Sequence, residues 1–339
     1  MDSNTPDLLG ICIPTYKRPD QLYACVESII RSIGSRTIPL FISDDSTDDT
    51  NVAVIDRLRA LYPHIMHDRN PKNLGIDRNI LKSVDICTCR YAWMIGEDDR
   101  MVPEAIPTVL NVLEKAGDEI PFVYVNYASV DETLTLVLHE QSLPLTQDAR
   151  KNVVDFFQAE AWSIGFIGAC VINRRLWATA NREPYLDTYF AHVGMILEGL
   201  KGRELYMIAK PLVLNRCGTA RIFTWTHSAF EVMYGWSRMT KALEPIYGAE
   251  ACDKSNDSMD DAHGTGTMLW YGYLRADRAF SLAVYHKHVH KAHHTSLHKM
   301  GAWVIAITPP QVFQLVRWGL THVRRRTCRT ITGLSLIHI

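Results

Sequence analysis

The chain has 339 residues, enough to bury a real core as one large domain or two smaller ones. Its composition, 47% hydrophobic and 22% charged, is that of a soluble globular protein and excludes a disordered or fibrous chain. With 36 Lys and Arg against 37 Asp and Glu, the net charge of −1 implies no nucleic-acid partner.

The apolar run Leu8-Leu9-Gly10-Ile11-Cys12-Ile13, halted by Pro14, reads as a first buried strand. Asp20 is placed to cap a helix whose apolar positions Leu22, Cys25, Val26, Ile29, Ile30 and Ile33 keep helical spacing. Residues 39–43 form a second strand ending in Asp44-Asp45, and Asp48 or Asp49 can cap a helix through Leu61. A short segment at Ile65-Met66 leads to the turn-rich residues 70–75, and a helix over 76–84 follows. Tyr91-Ala92-Trp93-Met94-Ile95 is then a strand that stops abruptly at Gly96-Glu97-Asp98-Asp99.

Beyond a helix over 104–115 the pattern loosens. Strands are expected over 122–125, 133–138 and 164–172, the last bent at Gly165 and Gly168. A helix over 189–200 precedes a strand over 205–214 broken at Pro211. From about Trp225 the pattern is helical, with a polar gap at 253–266.

Short strands alternating with helices predict a mainly parallel α/β sheet, and ligands bind outside the carboxyl ends of such strands. Pro14 to Arg18, Asp44-Asp45 and Asp98-Asp99 all fall at strand ends, so they converge on one edge. Adjacent carboxylates repel, and a hard cation shared with a diphosphate is the usual compensation.

These residues resemble family 2 glycosyltransferases of the GT-A fold, enzymes that use nucleotide-sugar donors. Ile13-Pro14-Thr15-Tyr16-Lys17-Arg18 is similar to the family's opening PTYNR signature, with Lys17 in place of Asn. Asp44-Asp45-Ser46-Thr47-Asp48 resembles DDGSTD without its Gly, and Asn73-Leu74-Gly75 with Arg78-Asn79 resembles NxGxxxARN. Gly96-Glu97-Asp98-Asp99 stands where the family carries its metal-binding DxD-type motif. The resemblance implies a mixed, mainly parallel sheet flanked by helices over 1–224, divided into a nucleotide-binding half (1–115) and an acceptor-side half (116–224). A helical, basic region over 225–333 would follow it.

The resemblance also implies roles. Pro14 and Tyr16 would pack on the nucleobase, Arg18 would join the donor site, and Asp45 would accept from the base. Asp44, one residue earlier on the strand, points the other way. Arg78 would neutralise diphosphate charge. Asp99 would bind Mn²⁺ or Mg²⁺, with Asp98 on the ribose or a metal-bound water. The donor would be UDP-, CDP-, GDP- or dTDP-linked, and the acceptor a glycan or lipid-linked glycan of bacterial O-antigen or capsule assembly. The family's ED-like base motif is absent; Asp187 and then His192 are the candidates in its place, with Glu198 nearby. Residues 163–168 and 189–194 resemble an abequosyltransferase-like subgroup. A nucleotidyltransferase and a degenerate nucleotide- or glycan-binding scaffold are the alternatives, although the former calls for a Gly-rich phosphate loop where Pro14-Thr15-Tyr16 stands.

The eight cysteines include no CxxC pair, so neither zinc nor a disulfide framework is expected. No signal-peptide pattern and no apolar run of roughly 18–20 residues is seen, and the expected location is cytoplasmic. After Asp277 there is no Asp or Glu, and the apolar stretches of this basic tail suit peripheral contact with an anionic inner leaflet. Six histidines between 286 and 298 fit a cationic face better than a metal site. Residues 334–339 resemble translated adapter sequence, and no function is read from them.

Overall fold

The computed structural model describes residues 7–116, 120–217, 229–290 and 296–317. Compactness divides the chain at other points than the expected break after 224. One unit holds the residues up to Cys217 together with 235–258, and the other holds the described residues of 229–234 and 259–317.

In the first unit, β1 (Leu9–Thr15) leads to α1 (Pro19–Ile33), β2 (Leu40–Asp44), α2 (Val52–Leu61), β3 (Ile65–Arg69), α3 (Ile76–Asp85) and β4 (Tyr91–Met94). Then come β5 (Arg100–Met101), α4 (Ala105–Ala116), β6 (Phe122–Val130), β7 (Val137–His139), β8 (Ala149–Asn152) and α5 (Val153–Ala159). β9 (Cys170–Asn173), α6 (Arg174–Trp177), α7 (Ala191–Gly199) and β10 (Glu204–Arg216) complete its sheet. The sheet order is β3-β2-β1-β4-β9-β6-β10-β5, with β7 beside β6 and β8 beside β10. β3, β2, β1 and β4 are mutually parallel, β9 runs antiparallel to both β4 and β6, and β10 is parallel to β6. This is the expected mixed sheet, parallel over its first four strands and mixed in the rest.

The buried residues explain the first half. Ile11, Cys12 and Ile13 of β1, Phe41 and Ile42 of β2, and Trp93 and Met94 of β4 are inaccessible, as strands covered on both faces must be. α1 buries Leu22, Cys25, Val26, Ile29 and Ile33, a stripe at helical spacing. Pro19 sits at its first turn, where a missing N–H costs nothing, so Asp20 lies inside that turn and does not cap it. Asp48 does cap, accepting from the Thr50 N–H ahead of α2.

Four expectations change. Pro14 lies within β1, two residues past Cys12, the last residue paired with β4, where no ladder donor on that side is lost. The segment 161–169 makes two 3₁₀ turns, with Phe166 packed on Tyr127 at 4.4 Å, and only residues 170–173 are strand. Pro211 does not break β10; it sits where the register with β6 slips between Ile208 and Val213, a bulge that tolerates proline. The supposed polar gap is largely helix: α9 runs Ala249–His263, after α8 (Ala229–Tyr247).

The second unit has its own aromatic core. Phe230 stacks on Phe280 at 5.4 Å and meets Trp270 edge-on at 4.9 Å, with Tyr271, Leu274, Tyr285 and Val289 around them. These residues come from α8, α10 (Met268–Ala276), the link at Phe280 and the π-helical turn Tyr285–Val289 that follows α11 (Leu282–Val284). α12 (Ser296–Ile307) closes this core with Ala302 and Ala306.

Within the first unit, α8 crosses the 188–191 turn at Gly235, where a Cβ would stand 1.9 Å from the Thr188 carbonyl oxygen. No side chain fits there without backbone movement. Gly235→Ala is therefore expected to cost about 1–3 kcal/mol, read as a lowered midpoint in thermal or urea unfolding.

Candidate functional site

The carboxyl ends of β1, β2 and β4 lie side by side, and side chains cross-link them. The Tyr16 N–H donates to Glu97 Oε2 at 2.9 Å, and the Lys17 N–H donates to Ser46 Oγ at 2.9 Å. Arg18 Nη1 meets Asp98 Oδ2 at 3.1 Å, and its Nε lies 3.6 Å from Glu97. Lys17 has a φ of +53° and pairs with Asp48 at 2.7 Å. The Tyr16 ring is left 46% exposed beside this edge, an open aromatic face.

Asp45 is buried, and its carboxylate is already engaged. Its Oδ1 accepts from the Leu74 N–H (2.7 Å) and Asn70 Nδ2 (2.9 Å), and its Oδ2 from the Gly75 N–H (3.0 Å). Three of its roughly four acceptor positions are thus filled, and its first task is to shape the 70–75 loop. Asp44 does point the other way. It accepts from Ser46 N–H and Asn51 Nδ2 and contacts His67 Nε2 at 3.1 Å. Burial pushes its pKa up, but these bonds outweigh burial and the carboxyl titrates below its usual range. Asn79 joins three pieces, donating to the Thr15 carbonyl while accepting from Ser43 and Asn70.

The acidic run after β4 splits by burial. Asp99 is buried, with Oδ1 accepting from the Arg216 N–H at 3.0 Å. Its Oδ2 occupies the space that a Cβ on Gly96 would need, 2.5 Å away. Burial, then the Asp98 charge, push the Asp99 carboxyl well above the usual carboxylate range. Burial likewise raises Glu97 to about 7, against the bonds from Thr15 and the Tyr16 N–H. Asp98 is the more accessible of the two aspartates, its side chain 17% exposed. Arg216 enters through its backbone N–H, while its Nε donates to the Glu132 carbonyl at 2.6 Å. The sequence offered no signal for that contact.

The two expected catalytic groups land differently. His192 is buried in α7, with Nε2 3.0 Å from the Ile164 carbonyl, and burial lowers its pKa to about 4. It ties α7 to the 161–165 turn and presents no nitrogen to solvent, which removes it as a base. Asp187 is exposed on the turn before α7 and forms a two-pronged ion pair with Arg78, at 2.5 and 3.3 Å. Arg78 holds the Asp187 carboxyl below its ordinary pKa. The expected base and the expected phosphate cation are therefore partners. Glu198 is committed elsewhere, to the Tyr185 hydroxyl (2.7 Å) and the Asn181 N–H (3.0 Å).

Asp77 was not singled out from sequence, where it is one more acid in a helix's first turn. Its carboxylate accepts from the N–H groups of Thr188 (2.9 Å), Tyr189 (3.0 Å) and Ala191 (3.4 Å). That holds a turn in which Asp187 and Tyr189 both have positive φ, at 61° and 68°. Arg238 adds a bond to the Asp187 carbonyl at 2.9 Å.

A parallel-strand edge with an exposed aromatic ring, an anchored loop and adjacent carboxylates, on this sheet order, defines a glycosyltransferase of the GT-A type. The family model described as Glycosyl transferase family 2 matches residues 10–177. The chain belongs to glycosyl transferase family 2. It is 26% identical over 229 residues to abequosyltransferase RfbV of Salmonella typhimurium, covering 62% of this chain and 66% of that protein. It is also 26% identical over 111 residues to the uncharacterized glycosyltransferase YibD of Escherichia coli K12, covering 32% and 31% of the two. The chain thus spans less than two thirds of these curated relatives. Among solved structures, S. aureus TarS 1–349 superposes with a TM-score of 0.59 at 10% identity over 92% of each chain, a likeness of fold. Its complex with UDP-GlcNAc gives 0.59 at 11% identity with the same coverage. Among the described residues, no helix is long and apolar enough to cross a membrane, and no three or more His, Cys, Asp or Glu side chains form a metal cage.

Glu97 provides a pH signature. Its folded pKa of about 7 exceeds the ordinary value of 4.5, so the folded chain binds more protons between them, and stability falls as pH rises through that window. Glu97→Gln keeps an acceptor for the Tyr16 N–H and removes the charge. Relative to wild type it is expected to gain stability on going from pH 4.5 to pH 8, by up to about 3 kcal/mol. Chemical denaturation in chelator across that range measures the difference.

Proposed function

We propose that this enzyme transfers a sugar from a nucleoside-diphosphate donor to a glycan or lipid-linked glycan in bacterial surface-polysaccharide assembly. The observation that carries the reading is the cross-linked edge itself, where Tyr16, Arg18, the Asp45-anchored loop and Asp98 stand on adjoining strand ends. Tyr16 offers its exposed ring to the nucleobase, and the 70–75 loop forms the floor beside it. The similarity to an abequosyltransferase favours an O-antigen-type acceptor, and TarS, a fold neighbour, binds UDP-GlcNAc.

The acidic run fits a divalent cation. Glu97, Asp98 and Asp99 are consecutive, and burial together with like charge drives two of them toward the neutral form. Mg²⁺ and Mn²⁺ at diphosphate sites need only one or two protein carboxylates, the substrate phosphates supplying the rest. Asp98, the more accessible, is the direct ligand in this reading, and Asp99 supports the site from the core; this moves the direct ligand expected from sequence at Asp99 to Asp98. The cation would stabilise negative charge on the departing diphosphate.

Asp187 remains the base, and its pairing gives it a trigger. When the donor diphosphate engages Arg78, the ion pair loosens and the Asp187 pKa rises toward its ordinary value. In an inverting transfer the acceptor hydroxyl then gives its proton to Asp187 as its oxygen bonds to the anomeric carbon. The bond from that carbon to the phosphate oxygen breaks, and the nucleoside diphosphate leaves.

Calorimetric titration with UDP, CDP, GDP and dTDP, each with and without Mn²⁺, tests the donor assignment. One nucleotide is expected to bind with metal dependence, which Asp98→Asn removes; metal-independent binding to every nucleotide, or none, would sink the reading. Asp187→Asn is expected to lower kcat by about 10²–10⁴-fold while leaving nucleotide affinity near wild type. Unchanged turnover would move the base elsewhere.

A further inference from the structure

The second unit carries a helix whose polarity is inverted. α12 packs into its own unit through the small residues Ala302 and Ala306, while a Cβ on Gly301 would meet Met268 Sδ at 2.8 Å. Its large apolar side chains face outward instead: Leu297 is 74% exposed, Met300 58%, and Trp303, Val304 and Ile307 lie between 41% and 48%. At 3.6 residues per turn these five fall within an arc of about 120°, opposite the buried alanines. The helix that follows at 310–317 adds Leu315 at 69% and Val316 at 54%. A helix that only completed the core would bury these residues and expose polar ones.

Charge selects the occupant. From Arg278 to the last residue the sequence has nine Lys and Arg and no Asp or Glu. Two of the nine, Lys287 and Arg317, are paired with Glu231 and Asp277, and a second copy of this segment would bring no acid after Asp277 to meet the rest. An anionic bilayer accepts both features at once, because acyl chains take apolar side chains without shape complementarity and the headgroups attract the Lys and Arg. Twelve residues are too few to span, so the helix lies in the interface plane. We infer that α12 and the helix after it are a docking surface for an anionic phospholipid membrane, which would bring the enzyme to a lipid-linked acceptor.

This inference extends the proposed function through a measurement that does not depend on it, since lipid partitioning is read without donor or acceptor. The full-length protein is co-sedimented with phosphatidylglycerol/phosphatidylethanolamine vesicles and, separately, with phosphatidylcholine vesicles. Binding is expected only to the anionic vesicles and should weaken as salt screens the charge. Met300→Glu/Val304→Glu is expected to lower the partition coefficient roughly tenfold or more, with the melting temperature and metal-dependent nucleotide binding unchanged. Leu297→Ser/Ile307→Ser provides a milder pair should the glutamates disturb folding. No binding to anionic vesicles at low salt would overturn the inference, as would undiminished binding by both variants. A concentration-dependent dimer that the same substitutions dissolve would also overturn it, by assigning the stripe to a second copy.

Discussion

Three consecutive carboxylates at the end of one buried strand are the constraint around which the catalytic unit is arranged. Glu97, Asp98 and Asp99 cannot all be charged in a dry site, and each meets a different partner. Glu97 takes the Tyr16 N–H, which fixes the chain leaving β1. Asp98 takes the Arg18 guanidinium, just ahead of α1. Asp99 takes the Arg216 N–H, which draws the far end of β10 to the end of β4 although β9 and β6 lie between them in the sheet. A local excess of charge thereby organises contacts 80 or more residues apart in sequence.

Much of this was legible because strand ends announce themselves. Apolar runs cut off by Pro14, Asp44-Asp45 and Gly96 place three functional segments on one edge without any knowledge of their contacts. Periodicity located α1, α3 and α4 within a residue or two for the same reason: their buried stripes are local. What escaped depends on tertiary partners. No pattern distinguishes an Asp45 that reads a base from one that holds three groups of the 70–75 loop, since both require the same buried acceptor. His192 resembled a base because its type permits it, and only its burial against Ile164 shows that it works as a packing residue. Asp77 was invisible because the backbone N–H groups that donate to it lie over 100 residues away. The segments 164–169 and 253–263 misled through composition: glycines read as bends in a strand, and charges read as a gap between helices, where a solvated helix face carries them equally well.

The turn between β9 and α7 shows how a mobile-looking surface element is held. Two residues there adopt left-handed backbone, a conformation that costs non-glycine residues about 1–3 kcal/mol each. The buried Asp77 carboxylate offsets this by accepting from three backbone N–H groups of the turn, at the cost of its own desolvation. Arg238 and the close approach of Gly235 fix the other side. Asp187 therefore stands on a rigid support, and the variable quantity at this rim is where the Arg78 guanidinium points.

The sheet is also finished at its margins. Its outer strands are β3, five residues long, and at the other margin only short pieces, β5 and β8 along β10 with two and four residues and β7 beside β6 with three. Beyond the buried Ile65, β3 carries His67, Asp68 and Arg69, and Asp68 is paired with Lys82 at 3.1 Å. A strand from another molecule seeking backbone partners would meet charged side chains on one margin and only strands of two to four residues on the other. The ten-stranded sheet thus has little capacity to template the edge-to-edge aggregation to which its apolar interior would otherwise expose it, a form of protection that matters most at high concentration in the cell and during refolding.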